Sequence, residues 1–116
     1  MTNKFHFSRQ VEGIVLMSTV PSMELAKLIA HQLVSRQLAA CVQIMPQATS
    51  VYMWNNKVCE DSEHLLIIKC PQACYQAVES CIVELHPYDT PEIIALPIIQ
   101  GLPSYLNWMS NVTYET

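Results

Sequence analysis

The chain is short of glycine, of charge and of long apolar runs, and each shortage removes a class of function. Two glycines, Gly13 and Gly101, in 116 residues are too few for the glycine-rich cradles that hold nucleotide phosphates. Neither a G-x-S-x-G elbow nor an H-E-x-x-H helix occurs, so the familiar hydrolase and zinc-protease arrangements are absent and no catalytic residues are expected. Six Lys and Arg stand against ten Asp and Glu, for a net charge of −4. No basic cluster is present of the kind a nucleic-acid reader needs. No run reaches the ~18 apolar residues of a membrane span, and residues 1–11 are polar or mixed. The expectation is a cytoplasmic protein with neither nucleic acid nor membrane as partner. The five cysteines at 41, 59, 70, 74 and 81 include no C-x-x-C pair, which argues for free thiols over a zinc ribbon or disulfide framework.

What is present is apolar surface. Hydrophobic residues make up 51 % of the chain and charged residues 14 %, so part of that surface is expected to be covered by another subunit. Residues 1–11 read as a flexible tail and 12–116 as one domain. EGIVLMSTV predicts a buried strand over 13–19. Ser22 is placed to cap the next helix, with Glu24 in its first turn and Leu25, Leu28, Ile29 and Leu33 on one face through Arg36. LAACVQIM and TSVYMW form one long strand interrupted by Pro46, and KVC with HLLIIK forms its partner beyond Asn55-Asn56, a pair suited to a two-residue turn. After Pro71 a second helix carries Cys74, Val78, Cys81, Ile82 and Leu85 on its apolar face and stops before Pro87. EIIALPII follows as a strand whose Pro97 argues for an edge or a bulge. Pro103 starts a short helix with Tyr105, Trp108 and Met109 on one side.

The order β-α-β-β-α-β plus a C-terminal helix predicts an α+β, ferredoxin-like sandwich with two helices on one face of the sheet. Its central hairpin has arms of roughly 13 to 15 residues, where about five or six is usual. Tyr52, Trp54 and their apolar neighbours at its outer end are expected to meet a second chain. With no slippage in the hairpin, Cys41 faces Cys70 and Tyr52 faces Cys59, and two facing thiolates would suit a soft ion such as Cu(I). A bulge at Pro46 would shift that pairing by one residue.

LAACVQI, SVYMW, EHLLIIK, HPYDTPEI and YLNW, in this order and spacing, resemble the CutA family, named for divalent-cation tolerance. The likeness runs from about residue 13 to 109, and HPYDTPE and LAAC are its specific signals. It implies a ferredoxin-like subunit in a tight homotrimer, built like the PII signalling proteins, with the long hairpin lying across a neighbour. Some copper-associated bacterial members carry cysteine where Ser18 stands and histidine where Leu85 stands; of that set, His86 remains.

His86, an imidazole at a helix end, is the first candidate ligand for Cu(II) or another divalent metal, with Glu63, Cys41 or a neighbour's donors completing a site. In HPYDTPE the prolines fix φ, and Asp89 and Thr90 supply turn hydrogen bonds; Tyr88 and Glu92 exceed what a turn requires. The resemblance places this segment near the cleft between subunits, with Glu63 and Lys69 close by. Lys69, Tyr88 and Glu92 are therefore candidates to hold a small anion or metabolite, as in a PII-like sensor that signals to a protein partner. Tyr52, Trp54, Tyr105 and Trp108 are candidates for the trimer interface. Metal binding, small-molecule sensing and a purely structural cleft all remain open on these residues.

Overall fold

The computed structural model describes residues 12–114; the expected tail at 1–11 lies outside them. Its elements run β1 (Gly13–Val20), α1 (Met23–Ser35), β2 (Cys41–Trp54), β3 (Lys57–Pro71), a 3₁₀ turn (Gln72–Cys74), α2 (Tyr75–Leu85), β4 (Ile93–Pro97) and α3 (Pro103–Asn111). The sheet order is β2-β3-β1-β4, and every neighbouring pair is antiparallel. This is the expected ferredoxin-like α+β sandwich.

Local chemistry sets the boundaries. Ser22 caps α1 by accepting from the Leu25 N–H at 3.1 Å, which satisfies one of the donors a helix start leaves free. His86, the residue before Pro87, turns extended (φ −82, ψ 138) and ends α2, as the proline ring requires. Pro97 sits at the end of β4, the sheet edge, where a missing N–H removes no ladder bond.

Alternation gives the sheet two faces. Ile14, Leu16 and Val20 of β1 and Leu66, Ile68 and Cys70 of β3 are buried in one core cluster with Ala26, Ile29 and Leu33 of α1 and Val78, Cys81 and Ile82 of α2. The other face carries Val15 and Met17 opposite Lys69 and Ile67 on one side and Leu96 and Ile94 on the other, with Met45 opposite Leu65. It is broad and apolar, and Met45, Ile94 and Leu96 are half exposed. α3 covers only one end of it: a Cβ on Gly13 would stand 2.7 Å from Met109 Cε, so glycine permits this close approach.

β1 pairs with β3 only as far as Val20 and His64. Beyond that, Ala48–Trp54 and Lys57–Glu63 continue as a two-stranded ribbon around a turn with positive φ at Asn55 and Asn56 (53 and 64), the type I′ geometry that matches strand twist. The ribbon exposes Val51, Met53, Trp54 and Val58 and stretches the chain to 57 × 28 × 21 Å.

The expected bulge is present. The register shifts between Met45 and Ala48, with Gln47 at φ 64. Tyr52 faces Cys59, but Cys41 faces Lys69, which corrects the unslipped pairing with Cys70. Cys70 points into the helix-covered core while Cys41 lies on the open face, so the two thiols sit on opposite sides of the sheet and cannot share an ion. Burial, with Cys74 nearby, pushes the Cys70 thiol up to about 12. We expect native-state alkylation at neutral pH to modify the part-exposed Cys41 and Cys59 and to spare Cys70, because the thiolate is the reacting form. Peptide mapping after labelling checks this, and equal modification of Cys41 and Cys70 would contradict it.

Candidate functional site

The HPYDTPE turn folds back against the start of the ribbon and the end of β1, tied to the one by Tyr88 and to the other by His86. His86 is 7 % exposed. Its Nδ1 accepts from the Tyr88 backbone N–H at 3.1 Å, so the proton rests on Nε2, which donates to the Thr19 carbonyl at 2.7 Å. The Tyr88 ring lies against the imidazole, centroids 4.6 Å apart, and its hydroxyl donates to Glu63 Oε2 at 3.1 Å. On the ribbon, the Tyr52 hydroxyl donates to Asp61 Oδ2. Hydrogen bonding to that carboxylate pushes the Tyr52 phenol up to about 12. Burial first, then Glu63, raises that of Tyr88. Both phenols therefore stay neutral donors that hold their carboxylates in place.

Between turn and ribbon lies a cleft of about 660 Å³, with Thr19 at its floor, Tyr52, Trp54 and Tyr88 as aromatic walls, and Asp61, Glu63, Asp89 and Glu92 around it. Among the described residues, no lysine, arginine or histidine lines it. Glu63 is 6 % exposed; Tyr88 is its hydrogen-bond partner.

The expected site residues separate accordingly. Glu63, Tyr88 and Glu92 come together in the cleft, and Tyr52 and Trp54 join them there. Lys69 does not: it donates to Gln43 Oε1 at 2.6 Å, across the open face. Without it the cleft of the single chain is lined by acidic and not by basic side chains among the described residues. His86 does not reach the cleft as a ligand, since both ring nitrogens are committed and no lone pair is free without breaking a buried bond. Cys41 lies beside Lys69, away from Glu63. Tyr105 and Trp108, with ring centroids 5.5 Å apart, remain part-exposed on α3. Asp61 also lines the cleft; its spacing of two from Glu63, which places both on one ribbon face, is the signal the sequence carries for it.

Comparison with known proteins agrees with this architecture. The model of the CutA1 divalent ion tolerance protein family matches residues 14–112. The chain belongs to that family. It is 46 % identical over 103 residues to the divalent-cation tolerance protein CutA of Thermus thermophilus, covering 89 % of this chain and 99 % of that one. To the human protein CutA it is 44 % identical over 95 residues, 82 % of this chain. The chain spans only 53 % of that human relative and 58 % of the chloroplastic CutA of Arabidopsis thaliana. The crystal structure of CutA1 from Oryza sativa superposes with a TM-score of 0.90 at 45 % identity, over 92 % of this chain and 98 % of that one.

The copper ligand set implied by the CutA resemblance does not fit here. Ser18 is fully buried, with Oγ lacking a hydrogen-bond partner among the described residues; Leu85 is apolar, and the His86 nitrogens are both occupied. Nor do three His, Cys, Asp or Glu side chains gather to hold a metal ion among the described residues. No helix among them is long and apolar enough to cross a membrane.

Proposed function

We propose that this CutA family member serves divalent-metal tolerance as a cytoplasmic, non-catalytic homotrimer, and that its ligand site is the Glu63 cleft. The observation carrying this reading is Glu63 itself: a carboxylate almost wholly buried, hydrogen-bonded to a neutral phenol and facing a cleft that no lysine, arginine or histidine lines among the described residues. Removing a charge from water is costly unless an opposite charge accompanies it. The open apolar face and the ribbon are the surfaces through which the trimer would form, bringing Tyr52, Trp54, Tyr105 and Trp108 towards neighbouring copies.

In this reading a divalent ion engages Glu63 with donors from an adjacent copy. Carboxylate oxygens are hard donors, better matched to Zn(II) or Mn(II) than to Cu(I). Calorimetric titration of the reduced, metal-free protein with Cu(II), Zn(II) and Mn(II) is the test. Binding is expected to fall about tenfold or more in Glu63→Gln, since a charge-assisted contact is lost, and to fall less in His86→Ala, which loosens only the support of Tyr88 behind Glu63. The opposite pattern would return the metal to His86.

A second reading, a PII-like sensor binding a small organic molecule and passing its signal to a protein partner, is favoured by the size of the cleft. Its volume of about 660 Å³ falls within the range of small-molecule sites.

A further inference from the structure

The sheet has a second opening, on its helix-covered side. Ile14 and Leu16 of β1 are buried beneath the helices. Their partners on β4, Pro97 and Ala95, share that side, as directly opposed residues do, yet both are exposed. The helix layer therefore stops short of the edge strand. It leaves a groove of about 500 Å³, with Gln72 and Tyr75 along one lip and Ala95 and Pro97 along the other.

We propose that the chain's own N-terminal segment, residues 1–11, fills this groove through Phe5 and Phe7. The segment leaves the sheet at the groove. The Gln72 N–H donates to the Glu12 carbonyl at 2.6 Å, and both Gln72 and Ile14 line the opening. On the other side of the sheet α3 already occupies the approach, where a Cβ on Gly13 would stand 2.7 Å from Met109 Cε. The chain's two phenylalanines both lie in this segment, at positions 5 and 7. A stretch bound for water carries few aromatics, and residues two apart share one side of an extended stretch. Phe7 precedes Glu12 by five residues, a reach of up to about 17 Å, which is enough to double back over the groove. There the rings meet Tyr75, an aromatic partner for offset or edge-to-face packing. The segment also carries Lys4 and Arg9, two of the chain's six basic residues, and none of its ten acidic ones. Glu79, which accepts from the Tyr75 hydroxyl at 2.8 Å, offers those cations a counter-charge.

Photo-crosslinking of the full chain, with Phe7 replaced by p-benzoylphenylalanine, tests the proposal. Irradiation is expected to join position 7 to peptides carrying Tyr75 or Ala95, in a product that migrates as one chain on a denaturing gel. A product of twice that mass would give the groove to a neighbour's segment and overturn the assignment to the chain's own. Joining to other peptides, or none at all, would overturn the groove as the seat of the segment. Tryptic cleavage after Arg9 is a second readout. Phe5→Ala combined with Phe7→Ala should speed it about tenfold or more, because cutting needs the segment released and each buried ring opposes release. Ala95→Trp, which fills the groove from β4, should speed it similarly with the size-exclusion mass unchanged. Cleavage equally fast in wild type and in both variants would overturn the proposal.

Discussion

Ile67→Glu is expected to leave the fold intact and to dissolve the proposed trimer. Ile67 sits on β3 at the middle of the open apolar face, opposite Met17 and Gln43 on its two flanking strands, and points away from the helix-packed core. In a lone chain a glutamate there reaches water. In an assembly that covers the face it becomes an unpaired buried carboxylate, at a cost of several kcal/mol for each copy. Size-exclusion chromatography with light scattering is the check: the mass should fall from that of a trimer to the 13.2 kDa of one chain, with the circular dichroism spectrum retained. An unchanged mass would show that this face is not the interface and would leave the ribbon as the principal contact.

The second large effect concerns His86, and it is one of stability. His86→Ala removes the bond to the Thr19 carbonyl and the acceptor of the Tyr88 N–H, and it opens a hole under the Tyr88 ring. Orphaned buried polar groups cost about 1–3 kcal/mol each, so a loss of about 2–4 kcal/mol is expected. For a domain of this size that lowers Tm by on the order of 10 °C. Comparison at matched chain concentration is needed, because assembly itself stabilises the folded state. A Tm within a degree or two of wild type would mean that the imidazole is not holding the turn to β1. A histidine that looked like a ligand in the sequence thus acts in the structure as a strut, positioning Tyr88 and through it Glu63.

Much of the fold was legible because its signals are local. Leu25, Ile29 and Leu33 repeat at helical spacing, HLLIIK reads as a strand, and Pro46, Pro87 and Pro97 each mark a place where the backbone breaks or ends. The bulge at Pro46 was also readable, and its consequence was the correct fate of Cys41: a shift of one residue moves a side chain opposite a different partner and across the sheet. The site was less legible because it depends on long-range placement. Nothing local to His86 tells that its ring will meet a carbonyl on β1, 67 residues earlier in the chain. The family resemblance implied that Lys69 shares a cleft with Glu63. The strand carries Lys69 some six residues away along the sheet, where Gln43 takes its ammonium. Asp61 and Glu63 did share a face by simple alternation, but only the turn folding over them makes a cleft.

The ribbon has a consequence for the life of a single chain ahead of the proposed assembly. A newly folded single copy has a finished core and an unfinished blade: an apolar two-stranded edge bearing Val51, Met53, Trp54 and Val58 in water. Such an edge does not distinguish a correct neighbour from any other extended strand until the side chains have docked. For the proposed trimer, maturation is a race between like meeting like and adventitious capture, and the odds depend on how many copies are made close together.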